Sequence, residues 1–425
     1  MIRIGYMQKT NNGYGGLLAT LIFFIINPTL GLIMSLLIAI NSNNDYDNNH
    51  RDLITFMIIT AAWISLINIT KSISGDQGVY TRIFLSVPEV GFKGTVFNAW
   101  GGSGKEPVFS LITWLLYWLT FGSVRLYYFI ISFAIYIFHY LAAYKLFKKM
   151  DIPKGALICG VLILTFFTQY FVMTLQIIRQ VLAGAIVIYA LVYRAVEGRN
   201  NWIFLATAVL IHTSAVFIAL LSLVPWFYSW MNIKRIVVVL GCFIPFIVFN
   251  GIIGNLFGGS TGINALDYGL SMYGNTGYSD GGTMALSVML FIFIPLMVVA
   301  GKILFKYRHD YIVEDDFEKM RMETILPIVY ICILLLIFVM SFTKSPLIQY
   351  RFFYYSYSFI PLLLPVLFEK YPWSKPYWAL SSTFFIFRFF MTHNESGWIY
   401  ASVFDILSNS IYYFWTGNFH WMYLV

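Results

Sequence analysis

Apolar residues run along this chain in blocks of about 17 to 25, each long enough to cross a hydrocarbon core of ~30 Å as a helix. The blocks predict spans at residues 15–40, 53–70, 126–144, 155–175, 179–195, 236–257, 284–305, 324–343, 347–368 and 377–391. Two further apolar stretches, 107–121 and 202–224, fit the pattern less simply. The predicted fold class is an all-α integral membrane protein of about 10–12 transmembrane helices, forming a single polytopic domain over residues 1–425. The run from Gly15 to Ile40 is too long for a signal peptide and is expected to stay as the first span. No repeat at a fixed period is visible, and no segment is long enough for a separate soluble domain.

Lysines and arginines in short loops mark the cytoplasmic side. Lys145, Lys148, Lys149 and Lys154 crowd one connection, and Lys302, Lys306, Arg308, Lys319 and Arg321 crowd another. The Gly-rich segment 258–283 has no basic residue and is placed outside. Simple alternation of spans then fails twice. The stretch 107–121 rises only about 22 Å and reads as a re-entrant or interfacial helix, which leaves the long polar segment 71–105 outside as a loop. The stretch 202–224 restores the charge pattern if it is a pair of half-helices broken near His212 and Thr213. Irregular backbone at membrane depth is tolerated where it is buried in protein or lines a watery cavity, so these two segments predict one.

Composition sharpens this picture. The chain is 59% hydrophobic, 19% aromatic and only 11% charged, against roughly 25% charged in a soluble domain, which excludes a water-soluble protein. Its 27 Lys and Arg against 19 Asp and Glu give +8, suited to anionic headgroups and phosphate-bearing lipids. The basic residues sit at helix ends rather than on a soluble basic face, so no nucleic-acid partner is predicted. Cys159, Cys242 and Cys332 lie inside apolar blocks and read as small core residues.

Ionisable residues in or beside apolar blocks are costly, about 2.5 to 3.5 kcal/mol at a helix centre, and so are functional candidates. On the predicted outer side these are Asp76, Arg82, Glu106, Arg179 and Arg351. A guanidinium offers fixed donors that match phosphate oxygens two at a time, so Arg179 and Arg351, with Arg82 beside them, are candidate diphosphate ligands. The alternative is an arginine snorkelling to the interface. Glu106 precedes Pro107, where a carboxylate can simply cap a helix, or can face the cavity and accept a proton from a sugar hydroxyl. Asp76 can play the same part or be an ordinary loop acid. His212, alone in an apolar stretch, is either a hydrogen-bonded core residue or a group that works near neutral pH. Tyr268, Tyr273 and Tyr278 in the glycine-rich outer loop are candidate sugar-binding residues, since phenols stack on sugar faces and donate hydrogen bonds. No Walker loop and no His-Glu-x-x-His motif is present. Asp45-Tyr46-Asp47 resembles a metal-holding aspartate pair but lacks a nucleotide-binding fold around it, so no metal and no cofactor is predicted.

The order of these landmarks resembles the EpsG and Wzy-type polysaccharide polymerases. The resemblance rests on Gly75-Asp76 with Tyr80, Glu106-Pro107, Arg179-Gln180, Ile211-His212 with Ser214, and Arg351-Phe352-Phe353, and covers about residues 53–370. Lys71 stands near the place where many members carry an arginine before the Gly-Asp. The resemblance implies a GT-C-like glycosyltransferase of the bacterial inner membrane. It implies polymerisation of undecaprenyl-diphosphate-linked repeat units into a surface polysaccharide, an O-antigen or exopolysaccharide, on the periplasmic side. Partners would be the lipid-linked donor and acceptor, membrane lipids and a chain-length regulator. On that reading Arg179, Arg351 and Arg82 hold the diphosphate, and Glu106, Asp76 or His212 accepts the proton. A transporter or flippase of lipid-linked glycans and a lipid-carrier-dependent ligase are the alternatives.

Overall fold

Helices form along the apolar blocks, but several blocks are cut where the chain supplies a breaker. The computed structural model describes residues 13–42, 46, 50–73, 75–98, 106–224, 294–308, 316–340, 346–369, 371–392 and 400–417, with the side chains of 13–14, 304–308, 340 and 346–351 outside the description. In chain order the helices are α1 (Gly13–Ile26), α2 (Pro28–Asn41), α3 (His50–Asn68), α4 (Asp76–Leu85), α5 (Val87–Lys93), α6 (Pro107–Leu119), α7 (Val124–Lys149), α8 (Lys154–Thr165), α9 (Thr168–Met173) and α10 (Ile178–Glu197). They continue with α11 (Trp202–Ile211), α12 (Val216–Leu223), α13 (Ile294–Arg308), α14 (Asp316–Met340), α15 (Pro346–Tyr357), α16 (Ile360–Leu363), α17 (Ser374–Met391), α18 (Val403–Ser408) and α19 (Ile411–Thr416). No strand occurs among the described residues.

Among the described residues α3, α7, α10 and α14 can each cross a membrane by length and composition, and seven shorter apolar helices accompany them. Leu18, Ile22, Ile25, Trp118, Leu119, Trp202 and Ile203 are exposed on these helices, and Leu380, Phe384 and Phe387 on α17, apolar surface that water would penalise and lipid would cover. The chain is a multi-pass membrane protein.

The first apolar run is not one span. Pro28 opens α2 and Asn27 caps it, its side chain accepting from the backbone N–H groups of Thr29 at 2.9 Å and Leu30 at 3.1 Å. A proline at the first helical position cannot continue α1, so the chain reverses and α2 packs back along α1, with Gly31 against Phe24 and Gly16 against Ile38. The turn is fastened from the far end of the sequence: Asn27 Nδ2 donates to the Leu407 carbonyl at 2.9 Å and Thr29 Oγ1 to that of Ile406 at 2.6 Å. The segment 71–105 is likewise no simple loop. Its described part folds as α4, α5 and a wide helical turn at Gly94–Asn98. The blocks 155–175 and 347–368 are each divided, into α8 and α9 and into α15 and α16. The predicted span at 236–257, the outer loop 258–283 and the pair Asp45 and Asp47 lie outside the described residues.

Two long helices set the frame. Lys145 near the end of α7 pairs with Glu197 at the end of α10 at 2.5 Å, so the two helices run parallel with their C-termini together. Their N-termini meet at the other end, where Arg179 is the second residue of α10. Lys71 ties in the turn between α9 and α10: its amine donates to the carbonyls of Phe171 and, at 3.4 Å, of Val172, near the end of α9. Burial holds the Lys71 ammonium well below the usual lysine range. Asn68 completes the anchor by donating from Nδ2 to Ser132 Oγ at 2.7 Å and to Thr174 Oγ1 at 3.3 Å.

Gly160 is the contact point between α8 and α16. A Cβ there would lie 2.6 Å from the Pro361 carbonyl oxygen, a backbone atom that cannot swing aside. Gly160→Ala is therefore expected to destabilise the protein by about 1–3 kcal/mol through overpacking, despite alanine's better helix propensity. A melting temperature in detergent equal to or above wild type would show that the two helices separate freely.

Candidate active site

The site is built where three breaks in helical structure meet. Glu106 occupies the N-cap position of α6 but makes no capping bond with its side chain. Its backbone is left-handed, φ 59° and ψ 53°, a conformation that costs a non-glycine residue on the order of 1–3 kcal/mol. The carbonyl still starts the helix, accepting from the Ser110 N–H at 3.3 Å. The carboxylate turns to the protein interior, with only 7% of the side chain exposed. The capping alternative for Glu106 is thereby set aside.

Its partner is Arg179, which donates from Nη1 to Glu106 Oε2 in an ion pair. The second guanidinium support is Tyr80 on α4: Arg179 Nε donates to the phenol oxygen at 3.4 Å, and the guanidinium carbon lies 5.5 Å from the ring centre. Burial pushes the Tyr80 phenol up from its ordinary value, and Arg179 opposes this only in part, so the ring stays neutral. Tyr80 in turn packs edge-on against Phe109 of α6, ring centres 5.9 Å apart. Thus α4, α6 and α10 hold one buried charge pair between them. Neither α6 nor α10 has a side-chain cap at its N-terminus, so the positive ends of two helix dipoles adjoin Arg179.

The third group comes from the break in 202–224. α11 ends at Ile211, His212 is extended at φ −153° and ψ 121°, and Thr213–Ala215 form one tight turn before α12. The half-helix pair predicted from charge topology is present, with its break at His212. Nδ1 of His212 lies 3.5 Å from Glu106 Oε1. It also accepts from the Ser214 backbone N–H at 3.2 Å and lies 2.9 Å from Ser214 Oγ, which is itself 2.6 Å from the Tyr355 hydroxyl of α15. The Tyr355 ring reaches this position because α10 has no side chain at Gly184: a Cβ there would meet the ring at 3.2 Å.

Of the sequence-predicted residues, Glu106, Arg179 and His212 converge. Asp76 opens α4 one turn before Tyr80, near enough for its charge to act on that phenol. Arg82 is not brought to the cluster: it is exposed, and two residues beyond Tyr80 it lies on the opposite face of α4. The side chain of Arg351 and the residues Tyr268, Tyr273 and Tyr278 lie outside the description, although Arg351 sits in α15 one turn before Tyr355. Tyr80, Ser214 and Tyr355 were not singled out by chemistry. Tyr80 and Ser214 entered only through the family resemblance, and Tyr355 lies four residues from the flagged Arg351.

Over residues 53–405 the chain matches the EpsG family. It belongs to that family. No curated protein and no solved structure matches it. Every member of the cluster, from Tyr80 to Tyr355, falls within the matched stretch, whereas α1 and α2 precede it and α19 follows it. In this EpsG-family chain the matched region therefore coincides with the part of the fold that assembles the buried charges.

Proposed function

We propose that this EpsG-family protein is a glycosyltransferase with a GT-C-like fold that polymerises lipid-diphosphate-linked repeat units into a surface polysaccharide. The observation that carries the reading is the meeting of Glu106, Arg179 and His212 at helix breaks from distant parts of the chain. A diphosphate leaving group needs fixed positive charge where its negative charge grows. Arg179 and the uncapped N-termini of α6 and α10 would supply it. The nucleophile is a hydroxyl of the acceptor glycan. Its oxygen forms the new bond to the anomeric carbon, that carbon's bond to the diphosphate oxygen breaks, and the pair of electrons leaves with the diphosphate. The hydroxyl proton passes to Glu106, whose carboxylate is released as Arg179 turns to the phosphate.

The parallel pair α7 and α10 supports an assignment of the membrane side. From Arg179 to Glu197 α10 rises about 27 Å, close to a hydrocarbon thickness. Lys145, Lys148 and Lys149 gather at the far end, which the positive-inside rule assigns to the cytoplasm. The charge cluster would then face the opposite side, the periplasmic side of a bacterial inner membrane, where undecaprenyl-diphosphate-linked donor and acceptor and a chain-length regulator could meet it.

The test is a gel of surface glycan from a strain lacking the gene, complemented with the wild-type chain. A ladder of repeats restored over a single-repeat background supports polymerisation. Loss of the single-repeat species as well would move the function to transport or ligation.

A further inference from the structure

We infer that Lys71 is a positioning residue for Arg179: with Asn68 it clamps the end of α9 to the end of α3, and so sets where the start of α10 presents its guanidinium. The inference rests on the polymerase reading for what Arg179 meets, but not for the clamp itself. Tyr80 stands nine residues after Lys71, and Arg179 eight residues after Phe171. The first of these segments turns into α4 at Gly75, whose φ of 55° and ψ of −133° suit glycine and few other residues. The second turns into α10 at Thr174–Ile177. Lys71 binds the Phe171 carbonyl, and Tyr80 binds Arg179. The two segments therefore leave one contact together and meet again at the next. The buried amine closes this loop at one end and the guanidinium closes it at the other.

The first turn of α10 has no side-chain cap, so the helix does not fix its own start. Fixation comes from upstream. Lys71 Nζ donates to the Phe171 and Val172 carbonyls and lies 3.7 Å from the centre of the Phe171 ring. The Asn68 amide lies 2.7 Å from Ser132 Oγ of α7 and 3.3 Å from Thr174 Oγ1, and that hydroxyl donates to the same Phe171 carbonyl. Lys71, Asn68 and Thr174 are all buried, so a bond lost here is not readily replaced by water. Beyond Thr174 the turn is tight: the backbone N–H groups of Gln176 and Ile177 both donate to the Met173 carbonyl, at 3.0 and 3.1 Å. A shift at Thr174 is thus passed to Arg179. The far end of α10 is held by Lys145 and Glu197, with 26% and 37% of their side chains exposed, an ion pair of the kind that contributes little. The place of Arg179 is decided from the α3 side, where a misplacement of about 1 Å can cost on the order of 10²-fold in rate.

Two arms test this, each with two variants. Lys71→Met keeps the stem and loses the N–H donors; the partners it deserts are carbonyls, so no acid is left unpaired. Thr174→Val keeps the shape and loses the hydroxyl, and it carries both arms if Lys71→Met does not reach the membrane. In the first arm, amide hydrogen exchange of the protein reconstituted in lipid is compared at the two ends of α10. Each variant is expected to speed exchange over residues 174–181 by about tenfold or more and to leave 189–197 within about twofold of wild type. Unchanged exchange over 174–181, or equal acceleration at both ends, overturns the inference. The second arm is the initial rate of chain extension per molecule, with lipid-linked repeat units extracted from the deletion strain. Either variant is expected to lower it about tenfold in the wild-type chain and by less than about twofold where Arg179 is already alanine, because a guanidinium that is gone cannot be misplaced. An equal loss in both backgrounds makes the clamp a support of the fold at large, and the inference fails. If the wild-type chain extends nothing and the deletion strain has unaltered surface glycan, the polymerase reading is refuted instead, and hydrogen exchange decides the clamp on its own.

Discussion

Surface polymer is expected to disappear when Arg179 is replaced by alanine, with the ladder reduced by a factor on the order of 10² to 10³, the usual loss when one fixed donor to a developing anion is removed. Glu106→Gln is expected to cost as much or more, about 10² to 10⁴, because the amide keeps the shape and loses the proton acceptor. The two groups share one buried ion pair, with 20% and 7% of their side chains exposed. A single replacement therefore also leaves a buried charge without its partner, a penalty of about 3–5 kcal/mol. The double variant Glu106→Gln with Arg179→Met separates the two effects. It removes both charges, so its membrane level and melting temperature are expected to exceed those of either single variant, while the ladder stays absent. Arg179→Lys keeps the charge but not the fork that also reaches Tyr80, and is expected to fall between wild type and alanine. Immunoblots of membranes beside glycan gels read both quantities. A ladder in the double variant would remove the pair from the chemistry.

Much of this site was visible in the sequence as cost. Glu106, Arg179 and His212 stood out because polar groups in apolar blocks need a reason, and the break at His212 followed from counting lysines on either side of it. The pairing was not visible. Arg179 and Glu106 are 73 positions apart, and hydropathy says nothing of which costly groups neutralise one another. The left-handed backbone at Glu106 was hidden for a sharper reason. A carboxylate before proline is the ordinary signature of a helix cap, and the structure uses the same residues to begin α6 while sending the side chain elsewhere. Tyr355 was masked by company: in the aromatic run from Tyr350 to Tyr357, composition cannot tell which ring will find Gly184. The reversal at Asn27-Pro28 was legible, since both residues are helix-start signals. Averaged hydropathy over the run from Gly15 to Ile40 concealed it. Segment 71–105 misled in the opposite sense, because its polar composition suggested a loop although Tyr80 and Phe84 are buried, four residues apart on one face of α4.

A second buried ion pair lies elsewhere in the fold, and its loss is expected to damage folding rather than chemistry. Arg321 in the second turn of α14 donates from Nη2 to Glu369 Oε1 at 2.5 Å, with side chains 7% and 2% exposed, and from Nη1 to Glu318 at 3.2 Å. Glu369 closes the run of turns after α16, so the pair locks the start of α14 to the segment that follows α15 and α16. Replacing Glu369 by alanine leaves the guanidinium in a poorly solvated place with the less buried acid Glu318 still beside it. A loss of about 3–5 kcal/mol is expected, enough to lower the amount of protein in membranes severalfold. Substituting both residues, Arg321→Met with Glu369→Leu, removes the charges together and is expected to recover most of that loss, since apolar side chains of similar volume often replace a buried pair without penalty. The double-mutant cycle, closed by the single variants Arg321→Met and Glu369→Leu, is read as melting temperature in detergent, and its interaction energy isolates the pair from the packing of each side chain. Polymer formed per molecule of protein is expected to stay near wild type in all three variants, which distinguishes this pair from Glu106 and Arg179. Single variants that melt like the wild-type protein would show that water reaches Arg321 and that α14 is held to the fold by packing alone.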